Sequence, residues 1–383
     1  MAREKGTQTA WTTQVMETPL PEEALRTYRL IGTITLLEPL SHIGKRIGPD
    51  SFLSDMSIVG PDGQPARCFA YSGNAFRGQL RDLAATYLLD RLGLALPLET
   101  FYLLFSGGSI GGESYIDIDD ARRLRQALPH LALFGGAAGN QMLEGSMDIG
   151  SMWPLCAETQ RLLPLALRDA AALPFSRLTA DQEYSRSDDA KKEGLRRYLA
   201  SPNPGRPALA ASERPAIEGV GADGPDRPAG PVAGGKGGKG DKGGKDRPAQ
   251  MRYAVEYLLP GVRLYQRIDL KRVTELQLGA FVAALSEFSK VPRVGGMARM
   301  GYGLVEAEWR YIIPGETVEP QPFAMVEADA VFLAGPRAQK AQEAYDEYLR
   351  QACAKRAYDE YLQGHAPDIK LALGVGGGID APA

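Results

Sequence analysis

Histidine and cysteine are scarce in this chain, each occurring three times in 383 residues. Cys68, Cys156 and Cys353 stand far apart, with no C-x-x-C spacing. That excludes a disulfide framework or a cysteine-based zinc site, and it suits a reducing compartment. His42, His130 and His365 are likewise too dispersed to share a metal, so no metal is expected. Long apolar runs are missing too. No stretch approaches the roughly 20 residues of a membrane helix, and the opening MAREKGTQTAW lacks a signal-peptide pattern. Nor is there an excess of one charge. Lys plus Arg is 44 against 47 Asp plus Glu, which excludes a uniformly basic coat but leaves room for local basic patches.

Glycine, by contrast, is abundant: 44 residues, with 27 prolines. Part of it falls in residues 201–250, a tract without aromatics that ends in AGGKGGKGDKGGKD. So little apolar surface cannot offset an ordering entropy of roughly 1–2 kcal/mol per residue, so disorder is expected there. Lys236, Lys239, Lys242 and Lys245 dot this tract. They fit a solubilising linker or a salt-sensitive phosphate tether.

The flanks carry regular patterns. Residues 28–37 (YRLIGTITLL) predict a strand, and residues 56–71 a hairpin around Pro61, Asp62 and Gly63. Asn74 is the expected N-cap of a helix burying Phe76, Leu80, Leu83, Ala84, Tyr87 and Leu88 and stopping at Gly93. Asp117 is expected to cap a second helix to about Leu128, and residues 145–156 to hold a further strand. After the polar tract, alternation over residues 253–259, a Pro260-Gly261 turn and alternation over residues 262–270 predict two more strands. Thr274 and Gln277 form a capping box opening a helix. Then comes the loop GGMARMGYG (295–303), followed by a strand that places Val305, Ala307, Trp309, Tyr311 and Ile313 on one face. A last helix begins at Pro336 and stops at Gly364, with AYDEYL written twice, and should pack on this chain or a neighbour.

Glycine-rich loops invite a nucleotide reading, and it fails. Gly296 and Gly301 have the P-loop spacing, but Tyr302-Gly303 replaces Lys-Ser/Thr and the order is helix, loop, strand. A dinucleotide-binding turn fails on the same topology, so no cofactor is expected. Such a loop either packs tightly on a neighbouring strand or brings backbone N–H groups to an anion. Arg293 and Arg299 flank it, and Tyr302 could stack on a base. Two other segments share this chemistry. In SHIGKRIGPD (41–50), His42, Lys45 and Arg46 are the polar contacts. In SGNAFRGQLR (72–81), Asn74, Arg77 and Arg81 open a helix whose N-terminus favours phosphate.

Taken in order, LLEPLSHIGKRIG, SGNAFRGQLR and GGMARMGYGLVEAEW resemble the RAMP superfamily of CRISPR-associated proteins. The likeness is greatest to the type IV effector backbone subunit, with the type III backbone next. The resemblance implies an α+β, modified ferredoxin-like (RNA-recognition-motif) fold. Its palm would comprise residues 28–161 and 258–325. A thumb-like insertion would occupy 162–257, with an N-terminal extension at 1–27 and a C-terminal helix and tail at 326–383. It implies guide RNA, complementary target nucleic acid, further copies in a filament and other effector subunits as partners, in the prokaryotic cytoplasm and away from membranes. On this reading His42, Lys45, Arg46, Asn74, Arg77, Arg81, Arg293, Arg299 and Tyr302 line the guide groove. Gly295, Gly296, Gly301 and Gly303 form the phosphate loop.

Type III backbones cleave target RNA through a loop aspartate, for which Asp50 and Asp55 are the candidates here. His42 is a candidate base for guide processing. Turn and cap roles compete for both aspartates, and no second carboxylate lies close in sequence. A scaffold that binds without cutting is the expectation, with a type III-like endoribonuclease as the alternative. A monomeric RNA-modifying enzyme would need a cofactor motif that is missing.

Overall fold

The computed structural model describes residues 25–96, 98–108, 118–138, 141–185 and 252–357. Two compact units emerge: residues 1–182 with 255–383, and residues 183–254. The Lys-dotted tract, Asp117, Gly364 and the second AYDEYL lie outside the described residues.

The first unit is built on β1 (Arg26–Leu36), whose side chains alternate between buried and half-buried along its length. It pairs antiparallel with β12 (Arg263–Val273) on one side and β13 (Val305–Ile312) on the other. Beyond β12 lie the short strands β8 (Met147–Ile149) and β9 (Trp153–Pro154), and beyond β13 lie β14 (Gln321–Val326) and β15 (Phe332–Ala334). Helix α1 (Gly73–Leu92) connects β1 to β8, and α6 (Glu275–Lys290) connects β12 to β13. The chain order β1-α1-β8-β12-α6-β13, with spatial order β13-β1-β12-β8, is the ferredoxin-like arrangement. The fold is α+β, as expected.

Apolar periodicity explains the layering. Leu30, Ile34 and Leu36 meet Leu264, Ile268 and Leu270 on one face of the sheet. Phe76 and Leu80 of α1 and Phe281, Val282, Leu285 and Phe288 of α6 cover that face. At the centre Gly32 stands opposite both Gln266 and Trp309. A methyl there would lie 2.7 Å from Trp309 Nε1, so the glycine makes room for the indole. Phe76 stacks on Trp309 at 6.5 Å between centroids and meets Phe288 edge-on at 5.5 Å.

Several local expectations hold. Strands β4 (Asp55–Val59) and β5 (Pro65–Phe69) pair as the hairpin around Pro61, Asp62 and Gly63. Thr274 and Gln277 exchange both capping-box hydrogen bonds at 3.2 Å. Gly93 ends α1 in the left-handed region at φ 58°. Three details differ. Ser72, not Asn74, occupies the N-cap of α1, without a side-chain cap, and Asn74 lies inside the first turn. The strand expected over 145–156 is split into β8 and β9. Residues 41–50 are no open loop: β2 (Ile43–Ile47) and β3 (Asp50–Leu53) pair there as a hairpin that turns at Gly48, φ 60°.

β2 and β3 belong to a second sheet, ordered β10-β11-β3-β2, with β10 (Thr179–Ser185) and β11 (Arg252–Leu258) leading out to and back from residues 186–251. Helix α7 (Pro336–Ala357) begins at the expected proline and packs on α6. Gly279 permits that approach, since a Cβ would lie 2.2 Å from the Ala341 carbonyl oxygen. Three short helices and a hairpin follow α1: α2 (Leu98–Phe105), α3 (Ile118–Ala127), α4 (Pro129–Phe134), then β6 (Gly136–Ala138) and β7 (Gln141–Leu143). The remaining short helix is α5 (Leu165–Arg168). No helix among the described residues is long and apolar enough to cross a membrane.

Candidate nucleic-acid interface

The three glycine-bearing segments, far apart in sequence, meet at one end of the ferredoxin-like sheet. Leaving β1, the chain places Ser41 in a bridge with Gly296, whose N–H donates to the Ser41 carbonyl at 2.8 Å. The His42 ring lies against Tyr71, 4.7 Å between centroids, just before α1. From α1, Gln79 Nε2 donates to the Arg293 carbonyl at 2.8 Å. The Tyr71 hydroxyl is in turn hydrogen-bonded by the Gly295 backbone. Strand end, helix start and glycine loop thus share one hydrogen-bonded junction.

Within the loop the glycines divide into two kinds. Gly295 (φ 80°) and Gly303 (φ 86°) are wedged: a Cβ would lie 2.6 Å from the Ser41 carbonyl oxygen at the first and 2.1 Å from the Val294 carbonyl oxygen at the second. Gly303 N–H also donates to the Pro39 carbonyl at 2.8 Å. Gly301 (φ 78°) ends a short helical turn, Ala298–Met300, with nothing among the described residues within 4 Å of its missing side chain. The base of the loop is therefore a tight packing joint, whereas its tip is open, with Arg299 and Met300 exposed.

Arg293 secures the base. Both its terminal nitrogens meet the Glu38 carboxylate, and Nη1 donates to the Tyr302 carbonyl at 2.7 Å. The Arg293 guanidinium holds the Glu38 carboxyl below the usual carboxylate range. Tyr302 is not the stacking platform expected from sequence. It is 3% exposed, its hydroxyl donates to Gln182, and its ring meets Tyr257 edge-on at 5.9 Å.

The α1 arginines are also engaged within the fold. Arg77 donates to the Phe134 carbonyl, and Arg81 donates to the Phe134 and Gly135 carbonyls at 2.8 and 3.0 Å. These carbonyls end α4, where the helix leaves acceptors without intrahelical partners. Burial, then the neighbouring Arg77, lowers the Arg81 pKa. Gly73 packs against the Ile149 carbonyl, so the start of α1 is also docked on β8. Asn74 and Arg77 line a cleft shared with Glu144, Met147 and Asp148. His42 is half-buried between Tyr71 and Phe69, and burial lowers its pKa. The exposed side chains of the predicted set are Lys45 and Arg46 on β2, Asn74 on α1 and Arg299 at the loop tip.

No protein-family model and no curated protein matches the chain. One similar solved structure is described as "Type IV-B CRISPR Complex". Its chain is 21% identical, with 79% of this chain and 96% of that chain covered and a TM-score of 0.47.

Of the candidate carboxylates, Asp55 is ion-paired with Arg67 at 2.5 Å across the β4–β5 hairpin. Asp50 opens β3 opposite Ile47. Four residues that build the junction escaped sequence reasoning: Glu38, Tyr71, Gln79 and Gln182. Only Glu38 had a signal, a lone acid directly after an apolar strand and before Pro39.

Proposed function

We propose that this chain is a guide-RNA-binding backbone subunit of a CRISPR-type effector ribonucleoprotein, assembling with further copies along the guide. The observation that carries the reading is the junction itself. Three motifs that resemble the RAMP pattern in sequence converge at one end of a ferredoxin-like sheet. Around it Lys45 and Arg46 project from the β2–β3 arm, and Arg299 tops a loop whose tip glycine is unobstructed. Exposed cations beside open backbone suit a sugar–phosphate chain, which is recognised irrespective of base sequence. Arg77, Arg81, Arg293 and Tyr302 act behind this surface, holding the elements that present it.

The subunit is read as binding RNA rather than cutting it. The Asp55 carboxylate is engaged by Arg67, and Asp50 sits where a hairpin resumes after its turn. The test is to purify the subunit with its guide. Replacement of Lys45, Arg46 and Arg299 together by Ala should release RNA and shorten the assemblies. Unchanged RNA content would place the groove elsewhere. Matched target RNA incubated with the assembled complex and a divalent cation should remain intact. Regular cuts lost in Asp50→Ala or Asp55→Ala would establish the endoribonuclease instead.

A further inference from the structure

Cys68 and Cys156, 88 residues apart in sequence, have their Sγ atoms 3.5 Å apart, and both residues are 0% exposed. Cys68 lies on β5 and Cys156 directly after Leu155. Their backbones run antiparallel past one another, because Tyr71 and Met152 form an antiparallel bridge with both hydrogen bonds made, at 3.0 and 2.9 Å. Continuing that register backward from Tyr71 and forward from Met152 brings residue 68 opposite residue 155, next to Cys156. The two sulfurs meet at 3.5 Å between neighbouring chain segments, an arrangement from which a disulfide closes by a small side-chain movement.

The surroundings distinguish the two thiols. Cys156 sits at the start of the short turn Ala157–Leu162, where its sulfur meets the Thr159 backbone N–H and, at 3.5 Å, the Thr159 hydroxyl. The contact with Cys68, also at 3.5 Å, lowers the Cys156 pKa. Burial and the same contact push the Cys68 thiol up. Two sulfurs within 3.5 Å, one with the lower pKa, form the pairing in which one attacks an oxidant and the other resolves the product.

We propose that Cys68 and Cys156 are a reversible modification site, a dithiol that small peroxides convert to an intrachain disulfide. The Cys156 thiolate attacks one peroxide oxygen, the O–O bond breaks, and water leaves after protonation, giving a sulfenic acid. The Cys68 sulfur then attacks the Cys156 sulfur, its own proton leaves with the hydroxyl as a second water, and the S–S bond forms. Two thiols are oxidised by two electrons and one peroxide is reduced to two waters. The bond ties the β4–β5 hairpin to the segment after β9, three residues ahead of Tyr71 and the junction.

The full-length protein is treated with graded hydrogen peroxide, quenched, and its thiols counted in denaturant. The expected count falls from three to one, peptide mapping finds Cys68 joined to Cys156, and dithiothreitol restores all three. In Cys353→Ser, which leaves the pair intact, the count falls from two to none. In Cys68→Ser, dimedone captures a sulfenic acid at Cys156. Thiols that persist unchanged in both the native chain and Cys353→Ser overturn the proposal. So does oxygen addition without linkage in those two proteins, or linkage through Cys353.

Discussion

Glu38 and Arg293 are 255 positions apart, yet the carboxylate of one receives both terminal nitrogens of the other. Arg293 also donates to the Tyr302 carbonyl, and Glu38 accepts from the Leu304 N–H at 3.4 Å. The exit of β1 is thereby joined to both ends of the glycine loop. Replacing Arg293 by Met, or Glu38 by Gln, should each lower the unfolding free energy by about 1–2 kcal/mol. The double variant should cost less than the sum, with a coupling of about 1 kcal/mol in urea titrations. Because the Glu38 carboxyl is held below its ordinary range, this contribution is present above the unfolded carboxylate pKa, about 4.3. It is lost as pH falls through the lower folded value.

The wedged and open glycines of the same loop should respond differently to alanine. At Gly301 only the positive φ resists the substitution, a cost of about 1–2 kcal/mol. At Gly303 the same strain adds to a Cβ that would press on the Val294 carbonyl oxygen at 2.1 Å, backbone that has no flexible end to move. Gly303→Ala should therefore destabilise the fold at least about 2 kcal/mol more than Gly301→Ala, read by thermal or denaturant unfolding.

His130 introduces an acid sensitivity unrelated to the interface. The residue is buried in α4, and among the described residues neither ring nitrogen has a hydrogen-bond partner. Burial, helped by the nearby Arg81 charge, pulls its pKa down to about 3. The unfolded chain binds a proton near pH 6.5 that the folded chain refuses, so stability falls as pH drops from about 6.5 toward the folded value. The limiting slope is about 1.4 kcal/mol per pH unit. His130→Leu should flatten that part of the stability–pH curve while leaving stability at pH 8 within about 1–2 kcal/mol of the parent. An unchanged slope would remove His130 from the acid response.

Period-two patterns made β1, β12 and β13 legible in the sequence, because each has one face on the helices and one beyond them. The capping box at Thr274 and the hairpin at Gly63 were equally local and equally readable. Helix α2 was not, since LETFYLLF is apolar on most sides and shows no stripe. The two short strands β14 and β15 have too few residues for alternation to register. At the interface the segments were legible but the direction of their side chains was not. Arg77 and Arg81 carry the charge and spacing of phosphate ligands. Their use is decided by carbonyls at Phe134 and Gly135, more than 50 residues away, that need donors. Tyr302 is turned inward by Gln182 and Tyr257 in the same manner, through contacts that no window around the loop contains.

That division of labour among the arginines gives the sharpest test of the interface. Arg77→Ala and Arg81→Ala remove donors from the buried end of α4. They should lower the unfolding midpoint, with a loss of about 1–3 kcal/mol each. Lys45→Ala, Arg46→Ala and Arg299→Ala remove exposed cations and should leave stability within about 0.5 kcal/mol of the parent. In RNA binding the order reverses. Each exposed cation that contacts a phosphate contributes about 0.7 to the slope of log affinity against log salt on a single strand. The triple variant should therefore bind with a slope about two units shallower, to the same extent on guides of unrelated sequence. A slope that stays constant in the triple variant but drops in folded Arg77→Ala would move the RNA to the cleft beside Asn74, Glu144 and Asp148 and away from the glycine loop.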